Sequence, residues 1–551
     1  MAVAQPKIIW SENQSPLIPK FEKEILETPN DSNYAENIKA LFENNGFLES
    51  NVLFDSATIT VDLGNQYFFG AIKSGNIPKG TIQKLNLGSK FFEKKPFSPV
   101  LFNKSKEKII TYFENSGYPF ASVKLDTTNL INYTILGSWQ LNKGPLITID
   151  SLEIISEETL PKNYIGNYIG FIKKQPYNEE LISEISTRIK EIPFALETKP
   201  ASVIFGEDHT TLRLNLKKQK ASSFNGVAGF LPDENTGEIL ITGDLKLALQ
   251  NALQSGEIIK LNWRKMQTNT QDINGYLNYN FLFNTPLGLE ADARLYRRDT
   301  TFAEQNLKLG LQYAISRGNF FKLILENYNS NLISTNQYED FTTLPPFADV
   351  RKRNYGICLS AMKLNYKFNP RSGYSYNIEI KGGTRRILEN NNLNATIYDS
   401  LKLHSNQYQL TGNLDFFIPI MKRSTIKLAN NSGWMINDEL FVNELTRIGG
   451  LNTFRGFDEE VFSVSAFSVF TAEYRLLLEE NSFYYVFFDG GFWEQNLKSN
   501  YDRDTPFGFG TGISFETKAG IFTVNYALGK QRNNPLDLRS AKIHFGFLSL
   551  F

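Results

Sequence analysis

The chain has 551 residues, which is enough for several domains. Its 58 Lys and Arg residues balance 58 Asp and Glu residues, and this argues against nucleic acid as the main partner, which would favour a basic surface. The single cysteine, Cys358, excludes an intrachain disulfide, and with three scattered histidines it offers no spacing for a zinc site. No run of eighteen apolar residues occurs, so a transmembrane helix is not expected.

The N-terminus reads Met1-Ala2-Val3-Ala4-Gln5. Ala-Val-Ala before Gln is similar to the end of a signal peptide, although the basic and apolar parts of such a signal are absent. One interpretation is an exported protein whose cleaved signal peptide is absent from this sequence. The alternative is a chance occurrence of three small residues.

The first 218 residues alternate helical and strand patterns and contain an internal repeat. Residues 33–45, 104–115 and 178–190 have helical spacing, and each stretch precedes an aromatic residue and two strand patterns. The aromatic residues Phe47 and Tyr118 lie 71 positions apart, and Phe194 follows 76 positions later. Each unit reads β-α-α-β-β. The predicted limits are 1–64 for an irregular first unit, 65–143 for the second and 144–218 for the third.

After these three units, the pattern changes to period two in the fourth predicted region of the chain, residues 219–551. In Ile521–Leu528, for example, Phe522, Val524 and Tyr526 alternate with smaller or polar residues. Strands of about ten residues with one apolar face are typical of a transmembrane β-barrel, with lipid outside and water inside.

The strand count favours the same fold. Sixteen antiparallel strands are predicted, at 222–230, 237–249, 256–266, 272–283, 288–298, 306–316, 320–330, 354–367, 374–386, 405–418, 424–436, 461–478, 483–492, 507–517, 521–531 and 541–551. The number is even, so both chain ends of the barrel lie on one side. Several connections alternate between short and long, which is typical of the tight periplasmic turns and long outer loops of outer-membrane barrels.

A glycine-rich stretch, Gly449–Phe457, lies between the predicted eleventh and twelfth strands. It is too long for a hairpin turn and too apolar for a solvated loop, so we expect it to fold back into the barrel. Its arginine, Arg455, should then meet a carboxylate. Asp489 on the thirteenth strand is the predicted partner, because Gly491 on the same face leaves room for a loop to approach.

Two inward-facing residues of the twelfth strand, Glu473 and Arg475, extend this predicted network. The alternative is that Asp489 is one of many lumen charges that face water. Closure of the barrel depends on the first and last strands, where Gly226, Gly229 and Gly546 would weaken the pairing. Glycine in barrel strands also simply allows bending, which is an equally good interpretation.

Together these features resemble the bacterial surface antigen and outer-membrane assembly-factor superfamily, which includes BamA, TamA and the TpsB transporters. That superfamily joins periplasmic POTRA domains, each β-α-α-β-β, to a sixteen-stranded barrel. The motifs that carry the resemblance are Arg455-Gly456-Phe457 in the sixth outer loop and Phe487–Gly491 on the thirteenth strand. Three units before the barrel are most similar to TamA. The terminal signal is matched at His544, Gly546 and Phe551, but Ser549 stands where a hydrophobic residue is expected.

The resemblance implies a factor in the outer membrane of a Gram-negative bacterium, with its POTRA domains in the periplasm. It implies unfolded outer-membrane or secreted proteins as clients, contact with outer-membrane lipid, and periplasmic or lipoprotein accessory subunits. Clients would add a strand to the POTRA sheet edges and pass to a seam that opens sideways; alternatively, the POTRA units are spacers or docking sites. No nucleic acid partner, cofactor, metal or enzyme activity is expected.

Two alternatives remain at this point. A TpsB-type exporter of one dedicated secreted protein would usually carry an N-terminal plug helix, and Pro16–Glu27 is the segment that fits one. A passive outer-membrane pore would conduct ions and be insensitive to a change at Arg455.

Overall fold

The computed structural model describes residues 7–11, 15–28, 34–55, 58–232, 239–267, 269–316, 318–335, 345–366, 369–437, 439–498, 500–517, 520–532, 536 and 538–550. Within these ranges, no helix combines the length and the apolar character needed to cross a bilayer. Residue contacts divide the chain into two compact units. The first unit holds Met1–Ser151, Lys173–Ser183 and Phe205–Thr211, and the second holds Leu152–Ile172, Glu184–Ile204 and Leu212–Phe551.

The first module has the complete β-α-α-β-β order, although its pattern in the sequence is weak. Its elements are β1 (Lys7–Trp10), α1 (Ile18–Glu27), α2 (Tyr34–Asn44), β2 (Asn51–Asp55) and β3 (Thr58–Asp62). The central strand β3 pairs parallel with β1 and antiparallel with β2. Apolar residues at i and i+4 on each helix cover this sheet, because that spacing places them on one face.

Helix α1 includes most of the segment that was the candidate plug helix. Its Phe21 and Ile25 are completely buried in the core of the first module, against Ile38 and Phe42 of α2. The plug interpretation of Pro16–Glu27 is therefore wrong, because its apolar face is already used for packing within this module.

The second and third modules also place a three-stranded sheet against helices, with sheet orders β4-β6-β5 and β10-β11-β8. The elements of the second module are β4 (Phe68–Lys73), α3 (Lys79–Lys84), α4 (Ser89–Phe92), α5 (Pro99–Glu114), β5 (Ser122–Ile131) and β6 (Thr134–Asn142). Those of the third are β7 (Thr148–Ile149), β8 (Ser151–Ile155), α6 (Lys162–Ile169), β9 (Gln175–Pro176), α7 (Glu179–Lys190), β10 (Ala195–Phe205) and β11 (Thr210–Lys218). The predicted domain limits between the modules stay predictions.

The rest of the chain forms a closed antiparallel barrel. Its first eleven wall strands are β12 (Ser223–Pro232), β13 (Ile239–Gln250), β14 (Ile258–Gln267), β15 (Thr270–Tyr279), β16 (Leu287–Arg298), β17 (Phe302–Ser316), β18 (Asn319–Leu332), β19 (Val350–Leu364), β20 (Gly373–Ile387), β21 (His404–Met421) and β22 (Ser424–Ile436). Two short strands, β23 (Thr446–Ile448) and β24 (Phe462–Val464), pair with each other in the loop that follows. The wall continues with β25 (Ala466–Leu477), β26 (Phe483–Asn496), β27 (Tyr501–Asp504), β28 (Phe507–Thr517), β29 (Gly520–Lys530) and β30 (Lys542–Leu550).

Strands β27 and β28 pair with successive stretches of β26 and together occupy one position of the wall. The predicted sixteen-stranded antiparallel barrel is therefore confirmed. Large apolar side chains on alternate positions face outwards, as Leu307, Leu309 and Leu311 do on β17. Their intervening neighbours point into the lumen and are largely polar, which is the distribution of a membrane-embedded barrel.

One predicted strand was wrong in its extent. Residues 461–478 were expected to form a single twelfth wall strand, but only β25 lies in the wall. The preceding residues form β24, and its Phe462 and Val464 pack in the lumen against Phe454 and Phe457. The alternating pattern continues through these residues, but their packing against the loop tip keeps them out of the wall.

Within the second compact unit, helix α6 packs against turns of the barrel. The Tyr164 ring of α6 fills the place that a side chain at Gly256 would take, 2.0 Å from the ideal Cβ position, and contacts Phe281 at 5.5 Å between ring centroids. Gly256 has φ 75°, a conformation that favours glycine. The turn is tied further by the buried Glu257, whose carboxylate accepts hydrogen bonds from the backbone N–H of Leu253 and Ser255 at 2.6 and 3.1 Å.

Candidate functional site

The sixth outer loop, residues 437–465, enters the lumen and is held there by three groups of contacts. Its tip is shaped by glycines at Gly449, Gly450 and Gly456, with φ of 131°, 88° and 93°. Side chains rarely adopt these backbone angles, so glycine allows the chain to turn sharply inside the barrel. The Gly449 N–H donates to the Thr453 hydroxyl at 2.8 Å and closes the turn.

The structure places Arg455 directly against Asp489 of β26. The Nε and Nη2 groups of Arg455 donate to the two carboxylate oxygens of Asp489 at 2.8 and 2.7 Å, and the backbone N–H of Arg455 adds a third bond at 3.2 Å. Asp489 is 2% exposed. The flat guanidinium group matches the carboxylate with two parallel bonds, which gives this contact its defined geometry. Thr471 of β25 donates to the same carboxylate at 2.8 Å.

Glu473 of β25 extends this network. Its carboxylate accepts from Arg455 Nη1 at 2.7 Å and from Arg475 Nε at 2.7 Å, and Arg475 also donates to Asn369 at 3.0 Å. We call Arg455, Asp489 and Glu473 the tip anchor. Two carboxylates and two guanidinium groups balance one another in a largely water-excluded part of the lumen, where any unpaired charge would be costly.

Aromatic rings surround the tip anchor. The Arg455 guanidinium lies 3.6 Å from the centroid of the Phe487 ring, a distance suited to cation–π attraction. Phe454 is completely buried, and its ring packs edge-to-face against Phe457 at 4.9 Å. The motif therefore has two roles in packing: arginine meets the charged wall, and its flanking phenylalanines fill the apolar lumen beside it.

Glycines of the wall form the floor on which the loop lies. A Cβ at Gly508 would come within 2.1 Å of the Arg455 carbonyl oxygen, and one at Gly529 within 2.4 Å of the Gly456 carbonyl oxygen. A Cβ at Gly491 would lie 2.5 Å from the Phe454 ring. Any of these side chains would push the loop away from the wall. Gly491 was predicted from the sequence, whereas Gly508 and Gly529 were missed because many glycines occur in these strands.

A second group of contacts holds the two flanks of the loop against β14 and β17, and we call it the flank anchor. Arg447 donates from both terminal nitrogens to the Glu304 carboxylate at 3.1 and 3.2 Å and lies over the Tyr296 ring at 4.0 Å. Glu460 accepts from Arg264 and lies 3.7 Å from Arg447. Sequence reasoning missed these residues. The available signal was a cluster of charges flanking an otherwise apolar motif.

A third group of contacts, the stalk anchor, lies where the loop leaves β22. The Glu444 carboxylate accepts from Arg385 at 2.8 and 2.6 Å and pairs with Lys352 at 3.0 Å. Burial raises the pKa of the Glu444 carboxyl, but Lys352 and Arg385 more than offset this and hold it below its ordinary value. Asn443 donates to Ser330 at 2.7 Å. The loop is thus held near its base as well as at its tip.

The predicted seam residues lie on the two strands that close the barrel. In the described register β12 meets β30 only through Ser223 with Leu550 and Phe224 with Ser549. These pairs lie at the start of β12 and the end of β30. Gly226 and Gly229 follow them along β12, and Gly546 precedes them along β30. His544 faces the lumen on β30, and Phe551 lies outside the described residues.

The described contacts of the site are ion pairs, hydrogen bonds and aromatic packing. Among the residues that the structure describes, no group of three His, Cys, Asp or Glu side chains is placed to hold a metal ion. The charged side chains of the tip, flank and stalk anchors are paired with one another across the lumen. Such an arrangement can hold a loop in place or release it.

Two solved structures of CdiB share this fold over almost their whole length. The structure from Acinetobacter baumannii superposes with a TM-score of 0.54 and 12% identity, covering 98% of this chain and 100% of the other. The structure from Escherichia coli gives a TM-score of 0.53 at 12% identity, with 97% of both chains covered. BamA from Haemophilus ducreyi lacking POTRA domains 1–3 matches with a TM-score of 0.45 and 15% identity, over 88% of this chain and 100% of the other. No protein-family model and no curated protein matches the chain.

Proposed function

We propose that this chain is a protein-insertion or translocation factor of the outer membrane of a Gram-negative bacterium, with its three modules in the periplasm. The observation that carries the proposal is the tip anchor inside a barrel whose first and last strands meet over two described residue pairs. A seam with so few backbone hydrogen bonds exposes strand edges at little cost. Such an edge is the natural place for an unfolded β-strand of a client to pair.

In this mechanism an unfolded client first pairs with the sheet edges of the modules. Main-chain hydrogen bonds supply the affinity, so the modules accept many sequences. The client then reaches the barrel, and its strands pair at the seam or pass outwards. The loop held by Arg455 sets the width and shape of the lumen during these steps, and no nucleotide or metal takes part.

The test is depletion of the protein followed by quantitative proteomics of the outer membrane and of the secreted fraction. We expect a broad loss of β-barrel proteins, restored by the wild-type chain and only poorly by Arg455→Ala present at the same level in the membrane. Arg455→Lys, which keeps the charge but loses the two parallel bonds, is the matched variant and should restore partially. Unchanged levels of every barrel protein and every secreted protein would refute the proposal.

A second candidate is export of one dedicated secreted protein. It is favoured by the near full-length likeness to two CdiB structures, which are of the TpsB type. The same depletion experiment separates the candidates, because a dedicated exporter would affect one secreted protein and leave barrel proteins unchanged. A passive pore would change solute uptake alone, with a conductance that Arg455→Ala does not alter.

A further inference from the structure

Two acidic residues of the sixth loop reach opposite sides of the seam. Asp458 pairs with Lys542 of β30, the last wall strand, at 2.7 Å. Glu460, only two residues further on, pairs with Arg264 of β14, the third wall strand. Two residues of extended chain span at most about 7 Å, so this short segment directly connects the wall on both sides of the seam.

The contacts lie where the seam itself is weakest. Within the described residues, β12 and β30 pair only at the periplasmic end, through Ser223 and Phe224. Lys542 is the first residue of β30 and therefore lies at the outer end, opposite the last residues of β12. The loop thus supplies a connection in the half of the seam where described backbone pairing is absent.

The local backbone is shaped for this connection. Glu460 has φ 56°, a conformation that side-chain-bearing residues seldom adopt and that persists only where its surroundings hold it. Between the two acids, Glu459 turns back and accepts a hydrogen bond from the Leu451 N–H at 2.8 Å. This contact ties the segment to the tip of the loop, whose Leu451 side chain lies 3.9 Å from the ideal Cβ position of Gly546 on β30.

We propose that Asp458 and Glu460 form an inner latch that holds the outer half of the seam closed. When the latch releases, β30 separates from the β12–β14 wall while Arg455 remains on Asp489. The role of the latch in client handling rests on the proposed function. Its effect on the seam does not, because seam opening can be measured without a client. Asp458 and Glu460 are then positioning residues for the seam.

Spin-label distances across the seam test the latch directly. Labels are attached through Leu261→Cys on β14 and Phe545→Cys on β30, which are outward-facing and 49% and 75% exposed. The background is Cys358→Ser, which removes the buried native thiol. In the full-length protein in lipid vesicles, Asp458→Asn with Glu460→Gln should raise the population at longer distance about five-fold, the change expected from losing two partly exposed ion pairs.

The matched control is Glu439→Gln with Asp502→Asn, which removes two carboxylates from outer-loop pairs with Lys498 and Arg532. It should leave the distances unchanged. Asp458→Lys should open the seam, and the exchange Asp458→Lys with Lys542→Asp should close it again.

Unchanged distances in the double variant, or equal opening in the control, would overturn the latch. An opened seam combined with an unaltered outer-membrane and secreted proteome after depletion would instead overturn the proposed function and leave the latch standing.

Discussion

The wall at β25–β26 and the seam at β12–β30 are built in opposite ways. Strand β25 pairs with β26 from Ala466 to Leu477 without a break, whereas the described seam pairs at two positions. The sixth loop touches both regions. It is attached to the continuous wall through Arg455 and to the seam through Asp458. The comparison indicates a loop with one fixed end and one releasable end.

Burial explains why the two attachments differ in strength. Asp489 and Glu473 are 2% and 6% exposed. Removing Arg455 would therefore leave negative charge where water does not reach it, and this is costly. The Asp458 side chain is 66% exposed and exchanges its partner for water at little cost. The same kind of ion pair is therefore a strong attachment at Arg455 and a weak contact at Asp458.

The largest effect is expected at the fixed end. Arg455→Ala leaves the buried Asp489 carboxylate without its cationic partner and Glu473 with Arg475 alone. It should lower the free energy of unfolding by about 3–5 kcal/mol. The measurement is the midpoint of urea unfolding in detergent micelles. Arg455→Lys should lose less, since the charge stays and only the two parallel bonds are lost. Equal midpoints for Arg455→Ala and wild type would contradict a fixed end at this wall.

An intermediate effect is expected where the loop lies on the wall. At Gly456 a Cβ would come within 2.8 Å of the Leu528 backbone, and its φ of 93° disfavours any side chain. Gly456→Ala should therefore cost about 1–3 kcal/mol and expose the loop to added protease. Gly546→Ala is the control, because the nearest atom lies at 3.5 Å, an ordinary contact distance. Similar proteolysis of both variants would show that the loop does not lie against β29.

The smallest effect is expected at the releasable end. Lys542→Ala removes the partly exposed partner of the exposed Asp458 and should lower the free energy of unfolding by about 0.2–1 kcal/mol. High salt should abolish most of the difference from wild type, since exposed charges are screened. Urea unfolding at low and high salt provides the comparison. A loss of unfolding free energy as large as that of Arg455→Ala would contradict a difference in strength between the two attachments.

The fold could be predicted because its signals are local. The change from helical spacing to period two marks the start of the barrel, and the number of alternating stretches predicts sixteen strands. The facing of Asp489 and Glu473 also follows from alternation, since neighbouring residues of a strand point to opposite sides. Alternation along β25 and β26 is thus enough to place both carboxylates on the lumen side of the wall.

The flank and stalk anchors could not be found in the same way. Arg447 and Glu304 are 143 residues apart in sequence, and the lumen offers many other acidic side chains. Which one an arginine meets depends on how the barrel closes and on the path of the loop. The interrupted twelfth strand has the same cause. Phe462 and Val464 satisfy an alternating pattern, but their apolar side chains are needed to pack against the loop.

The sequence by itself determined the modules, the barrel and the inward facing of Asp489 and Glu473. These features depend on patterns among neighbours along the chain. Only the tertiary structure decided that the sixth loop contacts three separate parts of the wall and reaches both sides of the seam. Those contacts join residues far apart in sequence, and they exist only after the sheet has closed into a barrel around the loop. The difference between the fixed wall and the releasable seam therefore arises when the barrel closes around the loop.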